Sequence, residues 1–274
     1  MKISVSNIAW DNQYFSEYLG FLRHLGCSGV ELAPSCIWQE PIEASAAERR
    51  HVSRLIEENH LDLVGFHALL YTRPDLSLFT SKETLNKAIA YLAELARLCS
   101  DMQGRVLVFG SPRNRALSGR SYSECVQWAQ EGFYSLSEIC KALGVFFCIE
   151  PLGPDETDFI RSAREGAEMV RNLSHPNFRL HLDAKALIST GESIDEILDE
   201  FGDLLTHFHV GDPGLTPPGS TGANHVPFGR ALKRLQYPGY VSIEMRRIEE
   251  DSKRQIANSV EYVRRCYADV ALDG

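Results

Sequence analysis

Eight times from one end of the chain to the other, a short β-branched or aliphatic run is followed by a longer stretch of helical period. The apolar runs are ISVSNIA near residue 3, GVELA at 29, LVGFHALL at 63, RVLVFG at 105, VFFCIE at 145, FRLHLD at 178, LLTHFHV at 204 and YVSIEM at 240. Helical patterns are read at about 12–25, 44–59, 81–101, 123–142, 161–173, 193–201, 228–235 and 251–268. In the third, Ser81 stands where an N-cap belongs, and Leu85, Ala88, Leu92, Leu95 and Leu98 recur at steps of three and four.

Parallel strands need a crossover of a dozen or more residues, and a strand covered on both faces becomes almost continuously apolar, as RVLVF and VFFCI are. The pattern therefore predicts an α/β protein. Dividing 274 residues by eight gives about 34 per unit, which suits a closed (β/α)8 TIM barrel as a single domain over residues 1–274. An open doubly wound sheet would normally carry a glycine-rich phosphate turn after an early strand. Here the first strand runs into AWDNQYF, which has no glycine.

Composition narrows the partners. With 44% apolar residues but no apolar run near the roughly 18 residues a membrane span needs, and with MKISVSNIAWDNQ in place of a charged leader and apolar signal core, the expectation is a cytoplasmic protein without a membrane partner. A net charge of -9 with no basic cluster argues against nucleic acid. Seven cysteines, never in a C-x-x-C pair, read as reduced thiols, mostly packed.

In a (β/α)8 barrel the active site is built from the C-terminal ends of the strands. The last four runs each close in a polar group: Glu150, Asp183, His209 and Glu244. They are spaced by about one βα unit, so they stand side by side around half of the rim. Three carboxylates and an imidazole gathered in a mostly buried place repel one another and are costly to desolvate, and a divalent cation resolves both problems. Hard oxygens with one nitrogen rank Mn²⁺ first, ahead of Mg²⁺, Co²⁺ and Zn²⁺, with one metal per chain. Taken singly, each such residue is as readily a helix cap or an ion-pair partner; four in succession favour the metal.

On the other half of the rim, Glu31 and His67 are polar groups inside apolar runs that either orient a polyol or pair with each other or with backbone. Arg113 and Arg115, in FGSPRNR, are placed to meet an anionic substrate group or are simply solvated. Trp10, Trp38, Phe66 and Tyr71 are candidates for stacking on a sugar, or for packing. His181, His207 and Cys148 share inward parity with the ligands one layer down and are read as core or supporting residues. His24, His51, His60 and His175 are expected to be solvated.

With these residues in place, the chain resembles the xylose isomerase-like TIM barrels, in particular the sugar phosphate isomerases/epimerases that include the ketose 3-epimerases. The carriers are GVELAPS, GFHALLYTRPDL, VLVFGSP, CIEPLGPDETDFI, RLHLDAKAL, HFHVGDP and GYVSIEM, in that order along essentially the whole chain. The resemblance implies that Glu150, Asp183, His209 and Glu244 bind one divalent metal. It also implies that Glu150 and Glu244 act as base and acid on opposite faces of a sugar or polyol, through a metal-stabilised enediolate. Loss of a β-hydroxyl would make the chain a dehydratase instead, and a metal-binding partner subunit without turnover is a further alternative; dimers or tetramers are common among the resembling enzymes. Departures accompany the likeness. Where the epimerases carry a histidine three residues after the strand-six aspartate this chain has Ala186, with Lys185 just before it, and Leu215 stands where a substrate-gripping arginine often lies. Lys185 either replaces the missing donor or neutralises the carboxylates. The apurinic endonucleases of the same barrel type need additional ligands where Phe109 and Ala186 stand, which removes DNA repair from consideration.

Overall fold

A computed structural model describes residues 1–269. Eight strands, β1 (Lys2–Ser6), β2 (Gly29–Leu32), β3 (Asp62–Phe66), β4 (Val106–Phe109), β5 (Phe146–Ile149), β6 (Phe178–Asp183), β7 (Leu205–Val210) and β8 (Tyr240–Ile243), pair in parallel in chain order. β1 pairs with β8 and closes the barrel, so the expected (β/α)8 architecture is present.

The covering helices are α1 (Phe15–His24), α2 (Ala46–Glu58), α3 (Lys82–Asp101), α4 (Tyr122–Leu143), α5 (Ala163–Leu173), α6 (Ala184–Thr190), α7 (Ile194–Phe201), α8 (Val226–Arg234) and α9 (Ser252–Val263). Local chemistry sets their starts. Ser45 and Ser81 each cap with a reciprocal bond from the third helical residue, and Ser121, Ser162 and Ser193 accept from the backbone N–H of the third helical residue. The α3 stripe of Leu85, Ala88, Leu92, Leu95 and Leu98 is fully buried against the strands.

Two expectations are corrected. The short helix α6 begins inside RLHLDAKAL because the Asp183 side chain caps it, an element too short for periodicity to register. His175 is buried, with Nε2 2.6 Å from Glu138 and Nδ1 accepting from the Asn177 backbone N–H.

The apolar core lies between strands and helices; the space inside the barrel is different. Ser4, Glu31, His181, His207 and Ser242 are all fully buried, and the only separate apolar cluster among the described residues is Val106, Val108 and Cys148. A barrel interior is usually filled by branched aliphatic side chains. Here a polar layer lies directly under the C-terminal rim.

Candidate metal and active site

Strand register brings the four rim residues together. Asp183 on β6 is the direct neighbour of His209 on β7, and His209 is the neighbour of Ser242, two residues before Glu244. Glu150 follows β5 and takes its backbone bond from β4, Glu150 N–H to Phe109 O at 3.1 Å. Each of Glu150, Asp183, His209 and Glu244 offers one ligand atom, and these atoms all lie within 4.8 Å of one another. Ligands across an ion bound at about 2.1 Å are about 4 Å apart, so the spacing needs only a small contraction.

Orphaned atoms support the fit. Asp183 uses Oδ1 to cap α6, accepting from the Lys185 N–H at 2.8 Å, while its buried Oδ2 has no hydrogen-bond partner. His209 places Nε2 3.0 Å from Glu31 Oε2; despite its burial, Glu31 and Glu244 hold the imidazole's proton affinity well above the ordinary value, and Nδ1 is the nitrogen that would give up its proton to an ion while Nε2 keeps its own. Nδ1 lies 3.2 Å from Glu244 Oε2 yet makes no hydrogen bond, an arrangement that suits two ligands of one ion. The donor set, three carboxylates and one imidazole, suits a divalent metal.

Glu31 is the anchor beneath. Its Oε2 meets His209, His207 Nε2 at 3.2 Å and the Ser242 hydroxyl, and it is wholly buried. Burial alone would raise its pKa, but His207 and His209 hold it well below the usual carboxylate range. Of the two possibilities the sequence left for Glu31, the structure places it in pairing, below the cavity rather than in its lining. His67 makes a second brace: Nε2 lies 2.6 Å from the Ser6 hydroxyl and Nδ1 3.0 Å from Glu244 Oε1, while its ring edge lines the cavity.

The two glutamates differ electrically. Burial and the Glu244 carboxylate beside it push Glu150 up to about 8. Glu244 is also desolvated, but His209 and His67 hold it well below the ordinary value. Asp183 is pushed up to about 6 by burial, with Lys185 opposing. Lys185 itself stays protonated because Asp183, Glu150 and Glu244 outweigh its own desolvation. Its Nζ lies 3.2 Å from both oxygens of Glu156 and 3.8 Å from Asp183 Oδ2.

A cavity of about 480 Å³ opens above the cluster, a size that accepts a small metabolite. His67, Tyr71, Arg113, Glu150, Lys185 and Glu244 line it. Trp38 does not; it is buried beside the helices. Trp10 reaches the cavity wall while stacked on Tyr18, and Phe66 is core. Arg115 is corrected: it is fully buried, donates to the Glu150 carbonyl at 2.7 Å and braces that loop instead of facing ligand. Ala186 lies outside the cavity, whereas Leu215 lines it. Cys148 is buried with its thiol pushed well up, an inert core residue.

Sequence reasoning missed three contributors. Glu156 lies in the loop after β5, Arg246 two residues past Glu244, and neither carries a periodic signal. Gly110 is the third: a Cβ there would lie 2.2 Å from Glu150 Oε2, so a glycine after β4 leaves room for the carboxylate.

The chain is similar to several known proteins. A D-psicose 3-epimerase of Ruminiclostridium cellulolyticum is 31% identical over 114 residues, 42% of this chain and 39% of that protein; the aligned part thus spans about two-fifths of the relative. Another D-psicose 3-epimerase, from Enterocloster bolteae, is 18% identical over 249 residues, 89% of this chain and 82% of its own. Such enzymes belong to the isomerase class. Among solved structures, a 3-keto-D-glucoside 4-epimerase from E. coli superposes with a TM-score of 0.83 at 18% identity, covering 97% of this chain and 100% of the other, which is a likeness of fold. The family model described as xylose isomerase-like TIM barrel matches residues 19–266, and the chain belongs to that family.

Proposed function

We propose that the protein is a divalent-metal-dependent epimerase or isomerase of a ketose or related keto-sugar, working by proton transfer through an enediolate. The observation that carries this is a four-ligand cluster, Glu150, Asp183, His209 and Glu244, two of whose carboxylates, Glu150 and Glu244, also line the cavity above it. Curated relatives named as ketose 3-epimerases support the reading. Glu150, Asp183, His209 and Glu244 would hold the ion, with Mn²⁺ ranked first for this donor set. When bound, the ion supplies positive charge that stabilises the enediolate.

The chain's own residues do the rest. Glu150 and Glu244 serve as the acid–base pair at the carbon next to the carbonyl, each also a ligand of the ion. His67 donates from Nδ1 to Glu244 and receives from Ser6, fixing that carboxylate. Lys185 keeps the site from accumulating unbalanced negative charge, and Tyr71 offers a ring face at the mouth. The substrate is a small molecule. The setting we assign is cytoplasmic, in keeping with seven free cysteines, with no nucleic acid or membrane partner and with self-association of the chain.

Solvent deuterium incorporation across ketoses, aldoses, inososes and keto-sugars tests this. Exchange without loss of water is expected for the native protein, and none in Glu150→Gln or Glu244→Gln. Full exchange in either variant removes its acid–base role. Loss of water would move the protein to the dehydratases, and inertness of the Mn²⁺-loaded protein on the whole panel would favour a binding subunit.

A further inference from the structure

Seven charged side chains line the cavity above the cluster, and five are already engaged. Glu150 and Glu244 belong to the cluster. Lys185 and Glu156 neutralise each other. Arg247 lies 2.9 Å from Asp11 and 3.4 Å from Glu249. Arg113 and Arg246 remain, and no carboxylate pairs with either among the described residues.

Their surroundings differ from those of a solvated surface arginine. Arg113 lies over the Tyr71 ring, 5.7 Å from its centroid, and donates to the Tyr71 carbonyl at 3.3 Å, so its guanidinium is held at the mouth. Arg246 is anchored through its backbone N–H to Leu215 O at 2.8 Å, and its side chain has no partner among the described residues. In a closed ring of eight, β4 and β8 are opposite strands, so the loops that follow them bring the two guanidinium groups to the mouth from opposite sides. Ser111 adds an independent sign. It lines the same cavity, its φ of 44° is in the left-handed region that serine rarely adopts, and its buried hydroxyl has no partner.

On a chain of net charge -9, two guanidinium groups without a carboxylate partner and a buried hydroxyl without a hydrogen-bond partner line one cavity whose other charges are paired or belong to the cluster. Guanidinium forks match the oxygens of phosphate and carboxylate groups. We propose that Ser111, Arg113 and Arg246 bind an anionic substituent, phosphoryl or carboxylate, at the end of the substrate remote from the reacting carbons. The substrate class is therefore an anionic keto-sugar. The inference rests on the isomerase reading for the other end of that molecule, but its test does not.

Calorimetric titration of the Mn²⁺-loaded protein with three unreactive ligands, a hexitol, the hexitol phosphate and a hexonate, measures the mouth alone. At least one anion is expected to bind about tenfold or more tightly than the hexitol, with a preference that weakens as salt rises. Arg113→Met and Arg246→Met should each shrink that ratio, and Arg→Lys at either position should restore part of it. Preference for the phosphate alone identifies a phosphoryl group, and preference for the hexonate alone a carboxylate; both support the site. Equal binding of all three ligands, no binding of any, or an anionic preference untouched by both Met variants overturns it. Anion binding without isotope exchange would sink the isomerase reading while leaving this site in place, and exchange on neutral ketoses with no anionic preference would do the reverse.

Discussion

Glu31→Gln isolates the most buried element of the proposed centre. The carboxylate is wholly enclosed, and one oxygen receives His209 Nε2 at 3.0 Å, His207 Nε2 at 3.2 Å and the Ser242 hydroxyl, while the other has no partner. Glutamine is nearly the same shape, so no cavity opens. Two things change. If the amide oxygen keeps the three donors, the NH₂ group occupies the place of the orphaned Oε1 and is left as a buried unpaired donor, at about 1–3 kcal/mol. The negative charge that holds the proton on His209 Nε2 is also gone, so the imidazole is free to carry its proton on Nδ1, the nitrogen the ion needs. Removing a partner that orients a ligand typically weakens metal binding by about 10–100-fold, or about 1.4–2.8 kcal/mol. The expected result is a folded protein with a lowered Tm and a metal Kd raised by at least tenfold, read by competition with a chelator of known affinity. A Kd within twofold of native with only the Tm lowered would refute the reasoning, because Glu31 would then be a packing residue with no hold on His209.

Gly110→Ala should leave the barrel folded, since the atom in its way is the free end of the Glu150 side chain, 2.2 Å from the new Cβ. It should lower metal content or affinity by about tenfold or more, as loss of one of four ligands would; normal metal content would show that Glu150 reaches the ion by another route. Metal uptake should depend on pH, because Glu150 is pushed up to about 8 and Asp183 to about 6 and both must lose their protons to bind. Affinity should fall as pH drops below about 8, with protons released on loading in weak buffer; a flat profile from pH 6 to 8 would remove these shifts. The sign for folding is the reverse. A carboxyl whose folded value is raised favours the fold below its unfolded value of 4.5 and loses that contribution as pH rises through about 8. Metal-free protein should therefore lose Tm over this window and loaded protein should not.

Much of the centre is legible in the sequence because strands impose a strict alternation. Residues 148 and 150, 181 and 183, and 207 and 209 share a face by parity alone, and the strand end tells which of each pair reaches the rim. What lies in loops escapes that logic. Arg113 and Arg115 are two residues apart in one turn, yet one lines the cavity and the other turns inward to the Glu150 carbonyl. No period governs a 3₁₀ turn of four residues, and the packing of the neighbouring loop decides. The apolar run GVELA puts Glu31 on its strand, but its pairing with His209 joins residues 178 apart, a contact that only barrel closure creates. His175 falls in a loop, where sequence points to a solvated side chain, but that loop is pinned by Glu138.

The loading of the site with metal starts from a difference between two identical side chains. Glu150 and Glu244 both follow a strand, both point into the same cavity and both pay for desolvation. Their neighbours separate them. Glu244 has His67 Nδ1 at 3.0 Å on one oxygen and His209 at 3.2 Å on the other, and Ser6 and Glu31 hold those two imidazoles in place from below. Glu150 has nothing comparable: His181 Nε2 comes no nearer than 4.0 Å, and the buried guanidinium of Arg115 goes to its backbone carbonyl, not its carboxylate. Replacing Arg115's carbonyl contact by one to the carboxylate would erase the asymmetry, since a guanidinium on that group would pull its proton off. The polar layer inside the barrel thus does more than fill space. It reaches up under Glu244 and stops short of Glu150, so that before an ion binds one carboxylate keeps its proton near neutrality and the other does not, and Glu150 is the ligand whose proton a metal has to displace.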